Sequence, residues 1–143
     1  MLSVIGIGQA GGSIADNFAS KGIGSLVINY SQKDLDSCEN IDDKKKLKLV
    51  GTEGVGKQRD YAIQLMNQNW ESTLNFIKNH VSQPSSELIF VVFSTAGGTG
   101  SGISPLITDM LINELDNKTI VACPILPDIN ESTIGHLNTL NCL

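Results

Sequence analysis

Residues Val91–Ile107 read VVFSTAGGTGSGISPLI, an apolar run that enters a glycine-rich turn and leaves it as a second apolar stretch. The turn combines Gly97, Gly98, Gly100 and Gly102 with small hydroxyl residues and contains no lysine or arginine. Glycine-dense segments are often flexible linkers. A linker does not join a buried strand to an amphipathic helix without a spacer, so Ala96–Gly102 is a compact turn at a helix N-terminus. Successive backbone N–H groups there form an anion-binding nest, assisted by the helix dipole. The hydroxyls of Thr99 and Ser101 add donors without bulk. A bound Mg2+ would offset phosphate charge where no lysine does.

Working outward, Leu88–Phe93 is a buried strand before this turn. After it, Ile103, Leu106, Ile107, Met110, Leu111 and Leu115 make a helical stripe, with Pro105 tolerated in the first turn. Leu2–Ile7 is a second buried strand, followed by a glycine-rich turn at Gly8–Ser13. The helix carrying Ile14, Ala15, Phe18 and Ala19 then ends at Gly22 and Gly24. Ser25–Asn29 and the short Lys44–Val50 segment read as further strands, separated by a polar stretch with one helical turn near Asp34. The lysine run at Lys44 is a solvated loop. A single long helix is expected over Gln58–Val81, with Tyr61, Leu65, Trp70, Leu74, Ile77 and Val81 on its core face and Pro84 as its stop. Thr119–Ile125 is the last strand, and Asp128–Leu143 starts the last helix. Alternating strands and helices predict an α/β, Rossmann-like parallel sheet with helices on both faces. Ligands of such sheets bind beyond the carboxyl ends of the strands, where all these glycine turns lie.

Composition narrows the function. At 143 residues the chain suits one domain, and the hydrophobic fraction of 41% suits a globular one. The net charge of -5 disfavours broad nucleic-acid or membrane binding. No apolar run is long enough for a membrane span, and no basic leader precedes the first strand. Cys38, Cys123 and Cys142 show no metal-ligand spacing and fit reduced thiols of a cytoplasmic protein. His80 and His136 are too far apart in sequence to suggest a zinc site.

Two other glycine segments need weighing. Gly6, Gly8 and Gly11 spell G-x-G-x-x-G between a strand and a helix, the fingerprint of NAD(P)-binding oxidoreductases. That fingerprint wants an acid at the end of the second strand for a ribose hydroxyl, and Asn29 stands there. Gly51–Lys57, GTEGVGK, nearly spells a P-loop. Gln58 then takes the place of the Mg2+-binding hydroxyl residue, and the preceding strand is weak. Glu53 is more suggestive as a carboxylate near a metal-bound phosphate.

AGGTGSG, Ala96–Gly102, matches the [GA]-G-G-T-G-[ST]-G signature of the tubulin/FtsZ superfamily, with alanine in the first place. The resemblance covers nearly the whole chain. VIGIGQAGGSI resembles the first nucleotide loop of that family, VINYSQKDLD the second, GTEGVGK the γ-phosphate-sensing third, and CPILPDINES the fifth. INYSQKDLDS, GTEGVGK and ILPDINE look closest to the TubZ-like plasmid and phage branch. The resemblance implies GTP/GDP binding by Gly8, Gln9, Ala10, Gly11 and Ser13, by Asn29, and by Thr52, Glu53 and Gly54. It adds Ala96, Gly97, Gly98, Thr99, Gly100 and Ser101, and also Asp128, four residues past Pro124, as the ribose-binding acid. Gln9 and Glu53 fall to Mg2+. Ser13 stands where FtsZ usually has asparagine, Ser31 replaces the second-loop aspartate, and no arginine follows Asp128.

For function, the resemblance implies GTP-dependent head-to-tail filaments, a homo-oligomer in the cytoplasm and away from membranes. It also implies segregation of plasmid or phage DNA, reached indirectly through an adaptor protein. Family members run to more than twice this length. The chain stops in the helix after the fifth loop, short of the central base-reading helix, the acidic synergy loop and the C-terminal domain. The expectation is therefore weak nucleotide binding, little GTP turnover by this chain alone, no catalytic residue of its own, and an uncovered apolar face. A non-catalytic module that caps or modulates full-length filaments is the alternative.

Overall fold

A computed structural model describes all residues, Met1–Leu143. The elements run β1 (Leu2–Ile7), α1 (Gly8–Ser20), β2 (Gly24–Asn29), α2 (Gln32–Asp36), β3 (Lys46–Lys48), α3 (Arg59–Leu65), α4 (Trp70–Val81), β4 (Leu88–Ser94), α5 (Thr99–Glu114), β5 (Thr119–Ile125) and α6 (Thr133–Cys142). The strands form one five-stranded sheet in the order β3-β2-β1-β4-β5, with every neighbouring pair parallel. Parallel strands need crossovers, and the helices that supply them cover both faces.

Alternation along the strands divides the core in two. Ile5 and Ile7, Leu26 and Ile28, and Ile89, Val91 and Phe93 point to one face, beneath Ile77 and Val81 of α4 and Ile103, Ile107 and Leu111 of α5. Val4, Val27 and Val92 point to the other, against Ala15 of α1, Leu35 of α2 and Cys38. Each fully buried aliphatic side chain contributes about 1.5–3 kcal/mol, so these two layers hold the sheet in register.

The long helix expected over Gln58–Val81 is two helices, α3 and α4, joined by a 3-10 turn at Met66–Gln68. Asn69 explains the break. Its buried amide donates to Leu65 O at 2.9 Å and Val50 O at 3.0 Å, and accepts the Val50 N–H at 2.9 Å. The side chain thus ties the helix junction to the segment after β3. Rotation across this break puts Ala62 and Met66 in the core, while Tyr61 is 37% exposed, contrary to the expected stripe. The third strand shrinks to Lys46–Lys48 because Asp43–Lys45 forms a 3-10 turn. The last helix begins at Thr133 rather than Asp128: Ser132 Oγ accepts the Gly135 N–H and caps it there.

The opposite edges of the sheet differ. β5 is an edge strand with partly or fully exposed residues throughout, and Leu126 and Ile129 beyond it are 62% and 91% exposed. Leu137, Leu140 and Leu143 of the final segment are exposed as well. No helix is long and apolar enough to cross a membrane.

Candidate functional site

A cleft of about 450 Å³ opens at the carboxyl ends of the strands. Its floor is made by the loops after β1, β2 and β4. Gly8, Gln9 and Ala10 are the first residues of α1, and Thr99 and Gly100 the first of α5, so two helix N-termini point at one space. Neither helix has a side chain capping its first N–H groups, and neither carries an acid in its first turn. By contrast Ser31 caps α2 and Ser132 caps α6. Uncapped N–H donors with a positive dipole end favour an anion, and phosphate meets both needs.

The first glycine turn thus folds as the first turn of α1, while in the second Ala96–Gly98 form a bend that leads into the first turn of α5. The reason is geometric. Gly8 takes φ +79°, a left-handed conformation suited to glycine, at the strand-to-helix corner. Gly98 packs directly on Gly56 O, where no Cβ would fit, and thereby docks the third loop onto the α5 N-terminus. Ser101 Oγ does not face the cleft: it donates back to Gly97 O.

Of the residues expected at the site, Gly8, Gln9, Ala10, Asn29, Gly54, Ala96, Gly97, Gly98, Thr99 and Gly100 line this cleft together. The others lie elsewhere. Gly11 is buried against Val92 O, and Ser13 Oγ donates to Gln9 O on the outer side of α1. Thr52 Oγ1 donates to Gly54 O at 2.8 Å, holding the third loop without reaching into the cleft. Glu53 is turned to Lys48 Nζ at 3.5 Å and accepts the Gln32 N–H at 2.6 Å. Gln9 and Glu53 therefore do not converge, and no group of three His, Cys, Asp or Glu side chains forms a metal cage. Asp128 is exposed and outside the lining, its carboxylate accepting the Asn130 N–H.

The acid that does line the cleft after β5 is Glu131, which lies four residues past Pro127 instead of Pro124. Two prolines in one loop made the count ambiguous, and Pro127 was the signal passed over. The structure also adds Ser31, Asp34, Val55, Gly56, Ser94 and Lys57. Asn29 Nδ2 donates to Asp34 Oδ2 at 3.3 Å, which joins the ends of β2 and α2. Lys57 pairs with Glu131 and donates to Ser132 Oγ at 3.0 Å. The Lys57 hydrogen bond, followed by those from the Ser132 backbone and hydroxyl, holds the Glu131 carboxyl down at about 2. Behind them, buried Asn138 of α6 donates to Lys57 O at 3.0 Å, Ala96 O at 3.1 Å and Gly97 O at 3.3 Å.

Such an arrangement, with paired helix N-termini over a parallel sheet and a glycine loop between them, defines a parallel α/β domain with a nucleotide-site-like cleft at its strand ends. The sequence profile of the "Tubulin/FtsZ family, GTPase domain" matches residues 1–143, and the chain belongs to that family. Among its relatives, the tubulin-like protein TubZ of Clostridium botulinum C phage is 33% identical over 138 residues, 95% of this chain and 37% of that protein. The solved structure of CetZ from Methanosaeta thermophila superposes with a TM-score of 0.90 at 32% identity, over 99% of this chain and 41% of that one. CetZ2 from Haloferax volcanii, described as a GTPγS-bound protofilament, superposes with a TM-score of 0.86 at 25% identity, over 99% of this chain and 44% of its own. The chain thus spans less than half the length of these relatives. The dinucleotide reading of the first glycine motif is set aside, since the family match covers residues 1–143 and β2 ends on Asn29 rather than on an acid.

Proposed function

We propose that this chain is the nucleotide-binding portion of a TubZ-like GTPase, one that binds GTP and GDP and works in a self-assembling filament for plasmid or phage DNA segregation. The observation that carries the reading is the cleft floor, where two uncapped helix N-termini and Gly97–Gly100 converge on one cleft of about 450 Å³. Triphosphate suits it, because its oxygens meet several backbone donors at once and no acid stands in either first turn. The GTPγS-bound protofilament of CetZ2 supports the nucleotide and assembly into a filament, and the TubZ relative supports membership of that branch. DNA is reached through an adaptor protein, in keeping with the net charge of -5.

Within this chain the cleft supplies binding groups, with Asp34 and Glu131 already engaged by Asn29 and Lys57. Water attack on a terminal phosphate needs a positioned activating group. The chain alone therefore binds nucleotide and hydrolyses little of it. Fluorescence or calorimetric titration of the purified chain with GTPγS, GDP, ATP and NADH tests the reading. Saturable binding of GTPγS and GDP with none of NADH is expected. NADH binding without guanine nucleotide binding refutes it.

A further inference from the structure

The cleft is lined by one cation, Lys57, and two carboxylates, Asp34 and Glu131. Lys57 follows β3 and Glu131 follows β5, the two opposite edges of the sheet. Four strand spacings of about 4.8 Å separate those edges, so roughly 19 Å of sheet lies between the loops' points of departure. Both loops nevertheless turn inward and meet in an ion pair at the cleft. Their meeting is fastened to the glycine loop by Asn138, whose amide holds Lys57 O, Ala96 O and Gly97 O together.

Glu131 has a seat for this role. Its Oε1 accepts the Ser132 N–H at 2.8 Å and the Ser132 hydroxyl at 3.0 Å as well as the Lys57 ammonium. The side chain lies over Gly135, where an added Cβ would stand 2.7 Å from that oxygen. Lys57 is thus spent on a carboxylate that faces the same space as the nests. A phosphate chain on those nests is repelled by Glu131 and attracted by Lys57. It carries more charge and more acceptor oxygens than the carboxylate does, so it wins the lysine.

We infer that Lys57 is a phosphate-binding residue held in reserve: Glu131 keeps its ammonium until the phosphate chain of a nucleotide displaces the carboxylate and takes the lysine. The inference rests on the nucleotide reading above and adds to it a residue and an exchange. Opening the pair frees the Glu131–Ser132 turn at the start of α6, so occupancy of the phosphate site is passed to that helix.

The test is calorimetric titration of the wild-type chain, Lys57→Met and Glu131→Gln with GTPγS and with tripolyphosphate, which has no base or sugar. Lys57→Met weakens both probes about tenfold. Glu131→Gln removes the competitor and strengthens tripolyphosphate about threefold. In the wild type, GTPγS shifts the amide resonances of Ser132 and Gly135. Should Lys57→Met fail to fold, the Glu131→Gln arm and the wild-type resonances decide. Three results overturn the exchange and leave the nucleotide reading standing: unchanged affinities in Lys57→Met, weaker tripolyphosphate binding in Glu131→Gln, or a wild type that binds GTPγS but not tripolyphosphate. A wild type that binds neither GTPγS nor GDP removes both.

Discussion

The two glycine motifs of this chain sit at equivalent places, each where a parallel strand turns into a helix, and divide their glycines differently between packing and the cleft. In the first, a Cβ on Gly6 would strike Gly11 O, and one on Gly11 would strike Val92 O. Those glycines let α1 lie directly on the sheet, and Gly8 is the one that faces the cleft. In the second, Gly97, Gly98 and Gly100 all line the cleft, and Gly97 has nothing within 4 Å of an added Cβ. Glycine spacing alone does not separate packing from ligand approach. What surrounds the missing Cβ does.

The widest separation comes from Gly11→Ala set beside Gly97→Ala. Backbone cannot yield to the new methyl at Gly11, so about 3 kcal/mol or more of stability is lost there in urea denaturation. At Gly97 the melting transition stays within about 0.5 kcal/mol of wild type, while GTPγS affinity falls because the methyl enters the cleft. Equal destabilisation at both positions breaks the contrast. Asn138→Ala is intermediate. It leaves the carbonyls of Lys57, Ala96 and Gly97 without their shared buried donor, at a cost of about 2 kcal/mol. It also weakens GTPγS binding, and denaturation and titration of one preparation check the two effects together.

The smallest effect sharpens the picture at the cleft's rim. Glu131 is held well below its ordinary 4.5, at about 2, chiefly by Lys57. A depressed carboxyl contributes stability that is fully present above pH 4.5 and is lost as pH falls through about 2. The pair is only partly buried and stays open to solvent screening, so the effect is small. Thermal melts of wild type and Glu131→Gln should differ slightly at pH 6 and converge as the pH falls toward 2. A difference that persists at the acid end means that the carboxylate charge is not what links the two loops.

Much of this was written in the sequence. Four of the five strands follow from apolar runs, and the alternation of strands with helices implies their parallel pairing, whereas the short Lys46–Lys48 strand carries little apolar signal of its own. AGGTGSG announced the cleft, since Gly97, Gly98 and Gly100 all line it, although Gly98 and Gly102 are also required by close backbone neighbours. What stayed hidden depended on contacts between distant segments. The break between α3 and α4 comes from Asn69 reaching Val50, which no helical periodicity records. Glu131 was missed in favour of Asp128 because two prolines offered two starting points for one count. Lys57 was visible only as the end of a false P-loop. Its place at the cleft depends on Gly98 receiving Gly56 and on Asn138 receiving Lys57, both contacts between loops far apart in the chain.

The strand order carries a consequence for how this domain comes into being. β1 lies at the centre, pairing with β2 from Ser3↔Gly24 and with β4 from Leu2↔Leu88. The first partner is within easy reach of a growing chain, and the second must wait until α1 to α4 have been made. Closing such long loops before any pairing rewards them slows folding. The cleft lining itself runs from Ile7 to Glu131. Until β4 emerges β1 keeps one edge unpaired, and until Glu131 emerges the cleft is incomplete, so a nascent chain gains little stability from nucleotide before then. Ligand-assisted folding begins only when the last loop emerges.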